Sequence, residues 1–151
     1  MKKTIILLTL IFTVMFSSPS YAEWTKVSES VDGTTFYVDF ERIRKHGGYV
    51  YYWYLTDLLK PDKYGHLSSK SYKQGDCKLF RHKSLSFSFH KEPMGGGRPS
   101  TSSNTPDKEW RYPPPKSSSE KTLKTVCSKS RVTMVKTPLG HPFSSICSCP
   151  D

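Results

Sequence analysis

The sequence predicts an α+β domain in which a single antiparallel β-sheet is followed by one C-terminal α-helix. Segments between Trp24 and Phe89 alternate apolar and polar residues, as strands do, and turn signals separate them. One amphipathic helical segment follows near Ser118. Strands joined by short turns pair antiparallel, because a parallel pair needs a long crossover connection.

Two strands, residues 35–40 and 49–55, are strongly predicted, and a glycine-containing turn lies between them. Residues 35–40 place Phe36, Val38 and Phe40 on one face, and residues 46–48 form a turn after them. Residues 49–55 form the most strongly predicted strand, since five of their first six residues are aromatic and such rings suit a pleated surface.

Two further strands are predicted before the helix. Residues 67–72 form a polar strand, and residues 77–89 alternate again, with Phe87 and Phe89 on the apolar face. Arg81 and Lys83 fall on that same face in a regular strand, which predicts that part of it lies at a sheet edge.

A loop separates these strands from the helix. Residues 91–118 are rich in Gly, Ser and Pro, and Trp110 interrupts them. The helix is predicted to begin at Ser118 or Ser119, where a serine caps the first amides, and to end at Cys127. A basic tail, residues 129–151, follows with a short strand-like piece at 131–135.

Residues 1–22 have the pattern of a cleavable secretory signal peptide. Lys2 and Lys3 precede a 12-residue apolar run, and Ser20 and Ala22 supply the small residues of a cleavage site. The run is shorter than the roughly 20 residues that span a bilayer, so no transmembrane segment is expected in the mature form. Removing 22 of 151 residues leaves 129, and losing two lysines lowers the formal charge from +10 to +8.

The four cysteines are expected to form disulfides in an exported chain. Cys77 begins a predicted strand and Cys127 ends the predicted helix, so a bond between them would tie helix to sheet. Cys147 and Cys149 are candidates for a second, strained disulfide, or with His141 for redox or metal chemistry; a structural or intermolecular bridge is the simpler interpretation.

No enzyme motif is found, and we expect neither catalysis, a cofactor nor a metal site. The five histidines are far apart, and no P-loop, GxSxG or dinucleotide fingerprint occurs. Asp39 and Glu41 would share a face of a strand as a catalytic pair does, but surface carboxylates explain them equally well.

The order and spacing of many short elements resemble the surface-adhesin protein E family of Gram-negative bacteria, over residues 24–128. These elements are Trp24, Tyr37-Val38-Asp39, Ile43-Arg44-Lys45, Val50, Trp53, Asp57, residues 68–72, Asp76-Cys77, Arg81, Met94-Gly95, Trp110, Pro114 or Pro115, Ser117 and Cys127. Together with the sequence patterns described above, the resemblance gives three expected segments: a signal peptide (1–22), an adhesin-like domain (23–128) and, outside the resemblance, the basic tail (129–151).

The resemblance implies a sheet with a C-terminal helix held by a disulfide, here between Cys77 and Cys127, and a non-enzymatic role in binding host extracellular-matrix or serum proteins. The positive charge alternatively suits anionic glycans or lipopolysaccharide, or is only a solvated surface. We expect export to the periplasm or outer surface and no nucleic-acid partner, and a homodimer is left open.

Within this hypothesis Tyr49, Tyr51 and Trp53 share one face of a strand and are the candidate binding face. The competing interpretation places these rings in the core beneath the helix, in which case Val50, Tyr52 and Tyr54 would be the uncovered set. The functional alternatives are a periplasmic structural or stress protein and a periplasmic redox or metal-binding protein that uses the tail cysteines.

Overall fold

The computed structural model describes residues 23–132, which form one six-stranded sheet and one long helix. Every strand pairs antiparallel with the next one in sequence, in the order β1 to β6. The predicted fold class is therefore confirmed. The elements are β1 (Trp24–Glu29), β2 (Thr35–His46), β3 (Tyr49–Asp57), β4 (Ser68–Asp76), β5 (Arg81–His90), a 3-10 turn (Pro93–Gly95), β6 (Thr101–Ser103) and α1 (Ser118–Val132).

Helix α1 packs on β1, β2 and β3 and covers one face of that half of the sheet. Tyr52, Val38 and Val126 are almost completely buried at this contact. Gly75 on β4 allows the close approach, because a Cβ there would come within 3.0 Å of Leu123 Cδ1 and Val50 Cγ2. Burial of these side chains holds the helix on the sheet.

The disulfide between Cys77 and Cys127 is confirmed, with Cα atoms 5.7 Å apart. It joins the turn after β4 to the second half of α1. Cys147, Cys149 and His141 lie outside the described residues. Within residues 23–132, no helix is both long enough and apolar enough to cross a membrane.

The predicted strand at 77–89 begins later than expected and contains a bulge. Residues 77–80 form a turn, in which Asp76 Oδ1 accepts the amides of Lys78 (3.1 Å) and Leu79 (3.0 Å). The register then shifts so that Tyr72 opposes Ser86 while Lys73 opposes Ser84. The bulged residue moves Arg81 and Lys83 to the face opposite Phe87, which removes the interruption seen in the sequence.

Helix α1 begins at Ser118, one of the two predicted starts, but its cap is the preceding Ser117 and it is longer than predicted. Ser117 precedes it and accepts the amide of Glu120 on Oγ (3.2 Å), while the Glu120 carboxylate accepts the amide of Lys116. The helix continues through Val132, so the strand-like interpretation is wrong for residues 131 and 132; residues 133–135 lie outside the described part. Three consecutive serines offer several caps, and sequence spacing alone does not choose among them.

Part of the predicted loop is a strand. Residues 101–103 form β6 on the edge of β5, because residues 87–89 of that edge offer free backbone groups. Further along the same edge, Arg111 exchanges two backbone hydrogen bonds with His82 at 2.8 and 2.9 Å. The chain from β6 to Arg111 thus closes the β5 edge.

Candidate binding face

The sheet has a second face, which α1 does not cover and which we call the open face. Strand alternation places Val50, Tyr52 and Tyr54 under the helix. Tyr49, Tyr51 and Trp53 therefore project from the other side, and each is partly exposed. The three residues singled out in the sequence lie on the open face and not in the core beneath the helix.

Two cross-strand rows form the middle of the open face. The first row crosses from β1 to β5 through Trp24, Asp39, Trp53, Tyr72 and Ser86, each opposite the next. The adjacent row crosses from β2 to β5 and ends in a cation on each side. It consists of Arg44, Tyr51, Gln74 and Lys83.

Tyr72 joins the aromatic side chains of the two rows. Its ring centroid lies 5.0 Å from that of Trp53 and 6.2 Å from that of Tyr51. Gln74 Nε2 donates to the Tyr51 hydroxyl at 3.2 Å, which fixes the tyrosine from its polar end. Mutual packing therefore holds three amphipathic rings side by side while leaving each partly accessible.

Trp110 closes one end of the open face. Its ring stacks on Tyr49 with centroids 5.4 Å apart. The Arg81 guanidinium lies 4.6 Å from the centre of the Trp110 ring, and the Lys83 ammonium lies 5.1 Å from it. These cation–π contacts place two positive charges beside the aromatic rows.

The glycine-rich loop after β5 closes the opposite end. Gly95 donates its amide to Ser68 Oγ (2.8 Å), and its carbonyl accepts a bond from Lys70 Nζ (3.0 Å). Met94 donates its amide to Asp57. Gly95 has a φ of +69°, and a Cβ there would come within 2.7 Å of the Lys70 side chain. The loop is thus fixed on the sheet, at the end where Leu55 is fully buried.

Two carboxylates beside the aromatic rows of the open face, Asp39 and Asp76, are buried and paired. Asp39 is 1% exposed, lies 3.3 Å from Arg42 Nε and accepts the Arg42 amide at 3.2 Å. Asp76 accepts a bond from Arg81 Nε at 3.1 Å. Hydrogen bonds from the Leu79 amide, Arg81 and the Lys78 amide keep the pKa of Asp76 below its ordinary value. Around the two aromatic rows, the accessible charge is therefore mainly positive.

Asp39 and Glu41 do not act as a pair. Asp39 is buried beside Arg42, whereas Glu41 is exposed beyond the point where the β2 register shifts. In residues 23–132, no three His, Cys, Asp or Glu side chains are grouped so that they could hold a metal ion. The open face offers groups for three kinds of non-covalent interaction: aromatic contact, cation–π contact and charge attraction.

Sequence reasoning missed two members of the open face, Tyr72 and Trp110. Tyr72 belongs to a strand that was predicted, and pairing that strand with residues 49–55 would have placed it beside Trp53. Trp110 lies in a loop without periodicity, so no local pattern indicates which strand it reaches.

Comparisons with known proteins agree with this architecture. A family model described as surface-adhesin protein E matches residues 24–128. A crystal structure of protein E from Haemophilus influenzae is similar in fold, with a TM-score of 0.55 and 16% sequence identity, over 72% of this chain and 89% of the other. No curated protein sequence matches the chain significantly.

Proposed function

Because this chain belongs to the surface-adhesin protein E family, we propose that it is an exported binding module that holds a host extracellular-matrix or serum protein on its open face. Family membership supports an adhesin-like binding function in place of catalysis. The signal-peptide pattern of residues 1–22 supports export.

The observation that carries the proposal is the aromatic group formed by Tyr51, Trp53 and Tyr72. Tyrosine and tryptophan are enriched among the residues that dominate protein–protein binding energy, because they bury large areas with few rotatable bonds. Arg44 and Lys83 end the row of Tyr51, so a positive charge borders the apolar centre on each side of that row. A protein ligand with exposed apolar side chains and nearby carboxylates fits this pattern.

The test is capture of ligands from human plasma and from solubilised basement-membrane extract on the immobilised mature chain. Replacing Tyr51 and Trp53 together by alanine should reduce capture by roughly a hundredfold, since truncating a hot-spot residue costs about 2 kcal/mol or more. Val31→Ala is the control, because Val31 is an exposed apolar residue in the turn between β1 and β2, outside the open face. Capture that survives the double variant would place binding elsewhere.

Protease treatment of intact bacteria checks the location that the proposal requires. A host-binding module must be cut by an added protease while the outer membrane is closed. If cleavage occurs only after the outer membrane is opened, the protein faces the periplasm, and the structural or stress role becomes the better account.

A further inference from the structure

A small cavity lies on the helix-bearing face, at the β5–β6 end that α1 does not reach. It has a volume of about 360 Å3 and is lined by Asp62, Tyr64, His66, Phe89 and Thr101. That volume falls within the roughly 300–1,000 Å3 of small-molecule sites. The cavity is separate from the open face, because Phe89 projects from the opposite side of the sheet to Tyr72.

The loop that carries the polar side of the cavity is held in a defined shape. Asp62 Oδ1 accepts the amides of Tyr64 (2.8 Å) and His66 (2.9 Å), and Asp62 donates its own amide to the His66 carbonyl (2.9 Å). Hydrogen bonds from the His66 amide, the His66 ring and the Tyr64 amide keep the pKa of Asp62 below its ordinary value. A ligand would thus meet a site whose backbone is already ordered.

His66 is held between a polar and an apolar neighbour. Its Nδ1 lies 3.0 Å from Asp62 Oδ2, and its ring stacks on Phe89 with centroids 5.0 Å apart and planes 25° apart. The other ring nitrogen, Nε2, makes no hydrogen bond to any group among residues 23–132, so it is available to bond with a hydroxyl group.

Aromatic surface forms the remaining wall. Tyr64 is 66% exposed, and its ring centroid lies 5.9 Å from that of His66. Phe89 continues the wall, and Thr101 adds a hydroxyl opposite it on β6. The cavity therefore offers flat rings on one side and two or three hydrogen-bonding groups on the other.

From this combination we propose that the cavity binds one neutral hexopyranose unit of a glycan. A pyranose has an apolar C–H face that lies on aromatic rings and a rim of hydroxyls that bond to carboxylate, imidazole and hydroxyl groups. An anion is disfavoured by the Asp62 carboxylate. A cation is disfavoured because Lys63 already lies 4.9 Å from the centre of the Tyr64 ring.

The experiment follows amide and side-chain NMR signals of the mature chain during titration with methyl β-D-galactopyranoside, methyl α-D-glucopyranoside and N-acetylglucosamine. At least one sugar should shift the signals of residues 62–66 and Phe89, with a dissociation constant in the millimolar range, about −4 kcal/mol or weaker. Signals of Tyr51 and Trp53 should stay unchanged, so this result is independent of the proposed function.

Tyr64→Ala should weaken the sugar affinity by roughly tenfold, whereas Tyr64→Phe, which keeps the ring, should retain it. Tyr112→Ala is the matched control, because Tyr112 is 65% exposed and does not line the cavity. Unchanged melting temperatures would show that the variants are folded. The proposal is overturned if none of the three sugars shifts these signals, if Tyr64→Ala binds normally, or if tetramethylammonium or sulfate shifts them more strongly.

Discussion

At the scale of single residues, Lys73 and His82 are partly buried ionisable groups. The Lys73 ammonium lies 4.0 Å from the centre of the Tyr54 ring, and His82 Nδ1 is buried without a hydrogen-bond partner among the described residues. Burial, reinforced by Arg111, lowers the pKa of Lys73 to about 8. Burial, reinforced by Lys73 and Arg111, lowers the pKa of His82 to about 4, with Asp107 opposing both shifts.

The low pKa of His82 predicts a loss of stability in mild acid. Between about pH 6.5 and pH 4 the unfolded chain protonates this imidazole and the folded chain does not, so the unfolded state binds more protons. The free energy of unfolding therefore rises with pH across that window and loses the contribution as pH falls. Urea denaturation at several pH values measures this pH dependence of the free energy of unfolding.

His82→Gln isolates this contribution from that of the carboxylates. The difference in unfolding free energy between the native protein and the variant should grow from pH 4 to about pH 6.5 and be constant above it. Parallel curves would mean that His82 is accessible to protons in the folded state.

Some residue positions could be predicted from the sequence, and others depend on tertiary contacts that no local pattern specifies. Burial of Val38 and exposure of Tyr51 on opposite faces follow from alternation, which is a local property. Trp110 contacts Tyr49 and Arg81 across more than 25 positions of sequence, and nothing local specifies that contact. The bulge in β5 shows a further limit: Leu85, between Ser84 and Ser86, is its unpaired residue, and only the pairing with β4 determines that position.

At the scale of elements, the attachment of α1 to the sheet depends on one short apolar contact and one covalent bond. Thr122, Leu123 and Val126 are buried, whereas Lys121, Lys124 and Lys129 are exposed, as the amphipathic pattern predicts. The existence of the helix was therefore predictable. Its start at Ser118 was also predicted, but its capping residue was not, because the cap at Ser117 forms only when the preceding chain turns at Lys116 (φ +62°).

Replacing Cys77 and Cys127 together by serine should lower the free energy of unfolding by about 4 kcal/mol, because the bond closes a loop of about 50 residues in the unfolded chain. Thermal denaturation followed by far-UV circular dichroism measures the loss. The matched control is Cys147→Ser with Cys149→Ser, which leaves the bond of the domain intact. Equal melting temperatures for native protein and domain variant would contradict a stabilising role.

At the scale of the whole molecule, the single helix covers part of one face of the six-stranded sheet and leaves the other face, the open face, without a helix. Its 15 residues span roughly 22 Å and pack on β1 to β3. The open face is closed only at its ends, by Trp110 and by the loop at Pro93–Gly95. An uncovered aromatic face with positive ends is what the fold presents to a partner.

Because the open face combines aromatic rings with positive charges, binding of two kinds of ligand should respond differently to salt. Raising NaCl from about 0.1 M to about 1 M shortens the Debye length from about 10 Å to about 3 Å and screens exposed charges. Binding to heparin, which depends on diffuse attraction, should fall steeply. Capture of a protein ligand by Tyr51 and Trp53 should fall only a few-fold, because apolar burial is not screened. A protein ligand lost as steeply as heparin would show that charge alone binds it.

The most direct test of the open face as the binding site is hydroxyl-radical footprinting of the mature chain with and without a captured matrix or serum ligand. Oxidation of Trp53, Tyr51 and Tyr72 should decrease in the complex, while oxidation of Tyr64 should be unchanged. Protection confined to Tyr64 or to helix α1, with the three open-face rings as reactive as in the free protein, would contradict the account.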